Sequence, residues 1–139
     1  LHRLLNRLHL IDPQKRATFI DKRIAEFHIR AAGPDIPVNT LSGGNQQRVV
    51  LAKWIATHPK VLILDAPTVG VDVAAKGGIY DLVKRLASGG IGIILISDEV
   101  PEVLCSCHRI LVMRKGRIVG EYLPAEISEK ELGQKINEA

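Results

Sequence analysis

The 139-residue sequence holds only two cysteines, Cys105 and Cys107, and a single methionine, Met113. Two cysteines in a chain of this size make no disulfide framework, so a reducing, cytoplasmic setting is expected. With Leu1 first and Met113 the only methionine, the natural start is expected to lie upstream. No apolar run approaches the roughly 20 residues that span a bilayer. Arg3, Asn6, Arg7 and His9 interrupt the first ten residues, so this stretch lacks the apolar core of a secretory signal. Strong charge is missing too. Nineteen Lys and Arg against fifteen Asp and Glu leave +4, too mild to imply a nucleic-acid partner. What remains is an ordinary globular composition, 46% apolar and 24% charged, in a length suited to one compact domain.

The charge is unevenly placed. Residues 1–30 carry seven basic residues (Arg3, Arg7, Lys15, Arg16, Lys22, Arg23, Arg30) against Asp12, Asp21 and Glu26, and the rest of the chain is balanced. A solvated helix face explains this surplus, and so does a position facing an acidic partner or a membrane. Helix formers over 14–31 place Phe19, Ile20, Ile24, Phe27 and Ile29 on one broad face, and Gly33-Pro34 is expected to end that helix. Pro34 to Thr40 reads as an extended loop. Ser42 is placed to cap a helix over 44–57 that carries Val50, Leu51, Trp54 and Ile55.

Val61–Leu64 and Ile93–Ile96 are short apolar runs of the kind found in strands buried on both faces. Between them, Asp72 precedes a helix with the stripe Ile79, Leu82, Val83 and Leu86. Gly77 and Gly78 inside it cost about 1 kcal/mol each relative to alanine. A short helix near Pro101–Cys105 is followed by strands at Arg109–Met113 and Arg117–Tyr122, which form a hairpin over Lys115-Gly116. Ser128-Glu129-Lys130-Glu131 is a capping-box pattern ahead of Leu132 and Ile136. Strands alternating with helices predict an α/β fold with a mostly parallel sheet.

Two stretches carry chemistry. In Leu41-Ser42-Gly43-Gly44-Asn45-Gln46-Gln47-Arg48, two glycines at a helix entrance let backbone approach a ligand, and the N–H groups there attract anions. Ser42 adds a hydroxyl donor. A merely capped helix after a loop would need only Ser and one glycine, and local chemistry alone leaves both readings open. The second stretch ends the Val61–Leu64 run with Asp65, at the sheet edge where α/β proteins bind ligands. Taken alone, an acidic residue there is also common as strand termination.

The order of the two stretches, LSGGNQQR, one helix, then LILD-x-PT-x-G-V-D, resembles the ATP-binding cassette (ABC) ATPases. LSGGNQQRVVLAKWIA with PTVGVDV is most similar to the second cassette of the tandem ATPases of bacterial sugar importers. Ile96-Ser97-Asp98-Glu99-Val100-Pro101-Glu102-Val103 and Arg109–Met113 with Gly116-Arg117 extend the likeness, which runs from about Ile24 to Tyr122. It implies a partial P-loop-NTPase-like sheet flanked by helices, with a C-terminal hairpin and helix. Residues 1–40 would belong to the helical subdomain and its linker, with 41–139 forming the C-terminal half of a cassette.

By this resemblance, Ser42, Gly43 and Gly44 would contact the γ-phosphate of ATP held by an opposite cassette, with Gln46 and Gln47 continuing the helix. Asp65 would sit at Mg²⁺, and Val69-Gly70-Val71-Asp72 would cross the interface between two cassettes. Gln46 and Asp72 count among the nucleotide-facing residues. Three departures stand out. The phosphate-cradling GxxxxGK[ST] loop is absent from the sequence, Ala66 stands where the family usually has a water-polarising glutamate, and Asp98 replaces a γ-phosphate-contacting histidine. A methyl group neither accepts a proton nor orients water, and an ionised carboxylate repels phosphate. No residue here is therefore expected to be catalytic.

The implied function is part of the ATP-binding subunit of an importer, coupling ATP to carbohydrate uptake, with this cassette hydrolytically degenerate yet serving its partner's site. The isolated piece is expected to lack ATPase activity. Implied partners are another cassette, transmembrane permease subunits and, indirectly, a periplasmic sugar-binding protein, at the inner face of a bacterial plasma membrane. A strand edge and apolar patch would favour self-association of the piece. A soluble ABC protein of DNA repair or the ribosome, or a non-catalytic interaction module, is the alternative. Cys105-Ser106-Cys107-His108 offers three metal-ligand types at a spacing that fits no standard zinc site, and packing is the simpler expectation. Trp54 is expected in the core beside Val50 and Leu51, and His2, His9, His28 and His58 at the surface.

Overall fold

A computed structural model describes residues 10–137, so the expectations for His2 and His9 lie outside the described residues. The chain divides into two compact units. One runs up to His58 and also takes in Gly70–Asp72; the other comprises Pro59–Val69 and Val73 onward.

The first unit holds α1 (Pro13–Glu26), a single 3-10 turn (Val38–Thr40) and α2 (Gly43–Ile55). Asp12 starts α1: its Oδ1 accepts from the Gln14 and Lys15 N–H groups at 3.0 and 3.2 Å. The helix ends at Glu26, earlier than the expected stop at Gly33-Pro34. His28 takes φ 50, its N–H bonds the Ala25 carbonyl, and the Ile29 N–H bonds the Ile24 carbonyl. That is a left-handed C-terminal cap built on a histidine, a residue that does not announce such a turn as glycine would. Phe27, just before it, is fully buried. In α2, Leu51, Ala52 and Ile55 are buried, while Val50 and Trp54 lie on the open side with Trp54 52% exposed. The expected core position of Trp54 is thus incorrect; Lys53 stands over its ring at 5.5 Å.

The second unit holds β1 (Val61–Asp65), α3 (Val73–Ser88), β2 (Gly92–Ile96), α4 (Val100–Ser106), β3 (Ile110–Arg114), β4 (Arg117–Tyr122) and α5 (Glu129–Asn137). β1 and β2 pair in parallel, Ile63 opposite Ile94 and Asp65 opposite Ile96. Register partners share a face, so Leu62, Leu64, Ile93 and Leu95 line one side and Val61, Ile63, Ile94 and Ile96 the other. The first face is covered. The second is bare, with Ile63 63% and Ile94 52% exposed, which corrects the expectation that both runs are buried on both faces.

α3 runs unbroken through Gly77 and Gly78. Burial of Ile79, Leu82 and Val83 contributes roughly 1.5–3 kcal/mol each and outweighs the two glycine penalties. β3 and β4 form the expected hairpin, closed over Lys115 (φ 46) and Gly116 (φ 74), the two left-handed positions of a tight primed turn. Its Ile110 and Val112 meet the fully buried Leu132 of α5, and Val103, Leu104 and Cys107 pack on this cluster. Cys107 is therefore a packing residue whose thiol is pushed up by burial and, secondarily, by Glu102; Cys105 is exposed.

A buried polar contact ties the loop after β1 to α4. Thr68 and Glu102 are each 1% exposed, and the Thr68 hydroxyl donates to Glu102 Oε1 at 2.9 Å. Tyr80 lies beside them; burial raises its phenol, the Glu102 charge adds to this, and the Thr68 contact opposes it. One helical turn earlier, Lys76 Nζ bonds both oxygens of Glu99 at 2.6 Å. This contact raises the Lys76 ammonium above its ordinary value.

Two stability predictions follow from these contacts. The capping box forms in both directions: the Ser128 N–H and hydroxyl donate to Glu131 Oε2 at 2.9 and 2.6 Å, and the Glu131 N–H donates to Ser128 Oγ. These bonds hold the Glu131 carboxyl below its ordinary value. A lowered carboxylate stabilises above its unfolded value and loses that contribution as pH falls through its folded one. Ser128→Ala is expected to lower the urea midpoint at neutral pH, and the gap to the parent should narrow on acidification through the carboxylate range. In the same assay, Thr68→Val should lower unfolding free energy by roughly 1–3 kcal/mol, because Glu102 stays buried without its donor. Thr68→Ser should cost much less.

Candidate functional site

In the first unit, the helix entrance at Ser42–Gln46 is built by α2 and the chain that leaves α1. Ser42 is at the N-cap, as expected, but its side chain makes no bond to the helix N–H groups. Its oxygen accepts instead from Asn45 Nδ2 at 3.0 Å, and Asn45 Oδ1 accepts from the Arg30 N–H at 2.8 Å. A hydroxyl that accepts from Asn45 keeps its own proton for an outside acceptor. Ser42 is exposed, Gly43 half-buried and Gly44 buried. The first N–H groups of any helix have no intrahelical partner and carry the positive end of its dipole. Ser42, Gly43 and those N–H groups thus form a small corner of hydrogen-bond donors at the positive end of the helix, with Gly44 packed behind it.

Gln46, counted among the nucleotide-facing residues, is braced within the chain. Its Nε2 donates to the Leu41 carbonyl at 2.7 Å, and this fixes the turn into the helix. Arg48 donates to the His28 carbonyl at 2.8 Å, which ties α2 to the end of α1. Asn45 and Arg48 therefore orient the corner, roles the sequence reading passed over. Their signal was present in the motif itself, where an amide and a guanidinium follow the glycines on the helix. Gly70–Asp72 belongs to the same unit: Val71 is buried and Asp72 exposed.

In the second unit, the parallel register brings the ends of β1 and β2 to one edge. Asp65 closes β1 opposite Ile96, and Asp98 follows two residues later; both are exposed. Ala66 takes φ 46, and its N–H bonds the Ile96 carbonyl at 2.8 Å, so the strand pairing continues one residue past Asp65 before the chain turns away. Ser97 Oγ accepts from the Glu99 N–H at 3.0 Å and shapes the turn that carries Asp98. The edge thus presents carboxyl groups without a neighbouring histidine or lysine of its own loops. No group of three or more His, Cys, Asp or Glu side chains suited to a metal occurs among the described residues. Carboxylate oxygen is nonetheless the donor that Mg²⁺ takes, with one or two carboxylates sufficing when phosphates and water complete the shell.

Comparison with known proteins gives the chain a family. The family described as ABC transporter matches residues 3–69. The ribose import ATP-binding protein RbsA of Streptococcus agalactiae is 49% identical over 123 residues, 88% of this chain and 25% of the relative. The xylose import ATP-binding protein XylG of Pseudomonas fluorescens is 44% identical over 127 residues, 91% of this chain and 24% of the relative. The chain therefore spans about a quarter of the length of these relatives. Among solved structures, cbiO1 from Clostridium perfringens, part of the ABC transporter complex cbiONQ, has a TM-score of 0.72. It is 32% identical, over 94% of this chain and 52% of that one. The dimeric ATP-binding cassette MJ0796 bound to ADP and Pi has a TM-score of 0.70 at 22% identity, over 83% of this chain and 50% of that one, and speaks to the fold alone. The chain belongs to the ABC transporter family of ATP-binding proteins.

Proposed function

We propose that this chain is the C-terminal half of a second ATP-binding cassette, within the ATP-binding subunit of a bacterial carbohydrate importer. Its task is to complete a nucleotide site held mainly by an opposite cassette. The helical part, residues 1–40, faces the membrane-spanning permease subunits, and a periplasmic sugar-binding protein delivers the cargo. The protein works at the inner face of the plasma membrane. No helix among the described residues is long and apolar enough to cross a membrane. Relatives named for ribose and xylose import support transport over a role in DNA repair or on the ribosome.

The observation that carries the reading is the contrast between the two corners. At the helix entrance, Asn45 holds the Ser42 oxygen and leaves an exposed hydroxyl and helix N–H groups for an anion. A terminal phosphate is the anion that suits them. At the strand edge, Asp65 is followed by a methyl group at Ala66, and Asp98 adds a second carboxyl group where phosphate would approach. Asp65 suits Mg²⁺ by its chemistry, and the ion would neutralise phosphate charge there. The triphosphate cradle itself must come from chain outside these residues, since no GxxxxGK[ST] loop occurs within them. The bare face of β1 and β2 supports a further expectation, that the isolated piece self-associates.

The site serves the partner and is inert on its own behalf. In the full-length importer, Ser42→Arg is expected to reduce sugar-stimulated ATP turnover by about a hundredfold, the loss typical of removing a preorganised donor from a transition state. Asp65→Asn should leave turnover largely unchanged. Equal losses from the two variants would contradict the asymmetry, and turnover by the 139-residue chain alone would contradict its inertness.

A further inference from the structure

Gly43 meets another stretch of backbone. A Cβ built on it would lie 2.5 Å from the Gly70 carbonyl oxygen, 3.4 Å from that carbonyl carbon and 3.7 Å from Val71 Cα. The first of these distances is one that real Cβ atoms do not adopt. The obstacle is main chain, so no side-chain rotation relieves it. Only glycine at position 43 lets the start of α2 and the 70–72 turn touch in this way.

The same contact explains an oddity of the fold. Gly70–Asp72 packs with the unit of α1 and α2, although β1 before it and α3 after it belong to the other unit. The side chains on either side face outward: Val69 is 67% and Val73 86% exposed, while Val71 between them is buried. Gly70 sits at φ 75, which allows the chain to turn sharply where it changes allegiance. These three residues thus pack against the entrance of α2.

We propose that Gly43 is a positioning residue that clamps the 70–72 turn to the N-terminus of α2, so that Ser42 and Asp72 keep a fixed spacing. Its small size serves this internal contact as well as any approach of a ligand. Displacement at the helix entrance is then passed to Asp72 within the same chain, and the reverse holds by linkage. The contact stands on geometry alone; only its consequence for nucleotide turnover rests on the function proposed above.

Amide hydrogen exchange and NMR chemical shifts of the full chain test the clamp without any activity measurement. Gly43→Ala should shift the amide signals of Gly70, Val71 and Asp72 and raise their exchange by roughly tenfold or more, as local opening does. Amides at Ile79, Leu82 and Val83 should exchange as before, which separates loss of the clamp from general destabilisation. Gly77→Ala, whose Cβ meets nothing within 4 Å, is the control that should leave residues 70–72 unchanged. Gly70→Ala probes the clamp from the other side. Its Cβ also meets open space, but its positive φ strains the turn, so the amides of residues 43–46 should shift. If Gly43→Ala fails to fold, that second variant decides. Unchanged signals at 70–72 in Gly43→Ala, or unchanged signals at 43–46 in Gly70→Ala, would overturn the proposal.

Discussion

A carboxyl group buried among apolar side chains is tolerated only when its polar atoms are matched, and in the sheet unit that condition falls on Glu102. Thr68 supplies the match at 2.9 Å. The consequence reaches well beyond one bond. Thr68 lies three residues after Asp65, and Glu102 four after Asp98, so the contact ties the loop that follows Asp65 to the helix that follows Asp98. Lys76, bonded to Glu99, adds a second tie from α3 to the start of α4. The far end of α4 is held by apolar contact instead, with Val103, Leu104 and Cys107 against Ile110, Val112 and Leu132. A seven-residue helix is too short to be stable alone, and here it is fixed by chemistry at one end and by packing at the other.

Much of this was legible in the residues because local chemistry settles it. The capping box at Ser128 and Glu131, the turn at Lys115-Gly116 and the stripe of α3 each depend on neighbours in sequence, and each stands where its pattern placed it. Other features depend on chain that lies elsewhere. The runs at Val61 and Ile93 are uniformly apolar, and nothing in four such residues says which face is covered; the register with Leu62 and Leu64 inward decides it. Trp54 has the helical phase of Val50, and both fall on the side of α2 that the described residues leave open. The end of α1 was missed for a different reason. His28 adopts the left-handed turn that glycine usually marks, so the Gly33-Pro34 pair looked like the stop.

The candidate site shows the same division. Asp65 and Asp98 come to one edge because parallel pairing brings the ends of β1 and β2 together, as an acidic residue after an apolar run suggests. At the helix entrance the residue types were legible and their duties were not. Ser42 was expected to cap the helix and is instead held by Asn45, and Gln46 binds the Leu41 carbonyl. Each of these bonds spans only a few residues, yet competing partners along the chain are equally near. The geometry of the turn chooses between them, and composition does not.

The asymmetry proposed for this cassette has a physical logic in the two kinds of site. On the proposed reading, the helix entrance would act through backbone N–H groups, a dipole and one hydroxyl, all of which persist so long as α2 starts at Gly43 with its supporting bonds. On the same proposed reading, the strand edge would need one particular side chain to hold or orient a proton, and the alanine at position 66 lacks that capacity without disturbing the strand. Ala66 keeps its backbone bond to Ile96, and Asp65 keeps its place. A site made of main chain thus resists sequence drift, whereas a site made of one carboxylate is lost in a single change. On the proposed reading, a pair of cassettes keeps one working site only if the chain that loses its own carboxylate retains the backbone corner for the other. The clamp of Gly43 on Gly70 places that corner under a packing constraint independent of hydrolysis. On that reading, an inert strand edge removes no requirement for glycine at the helix entrance.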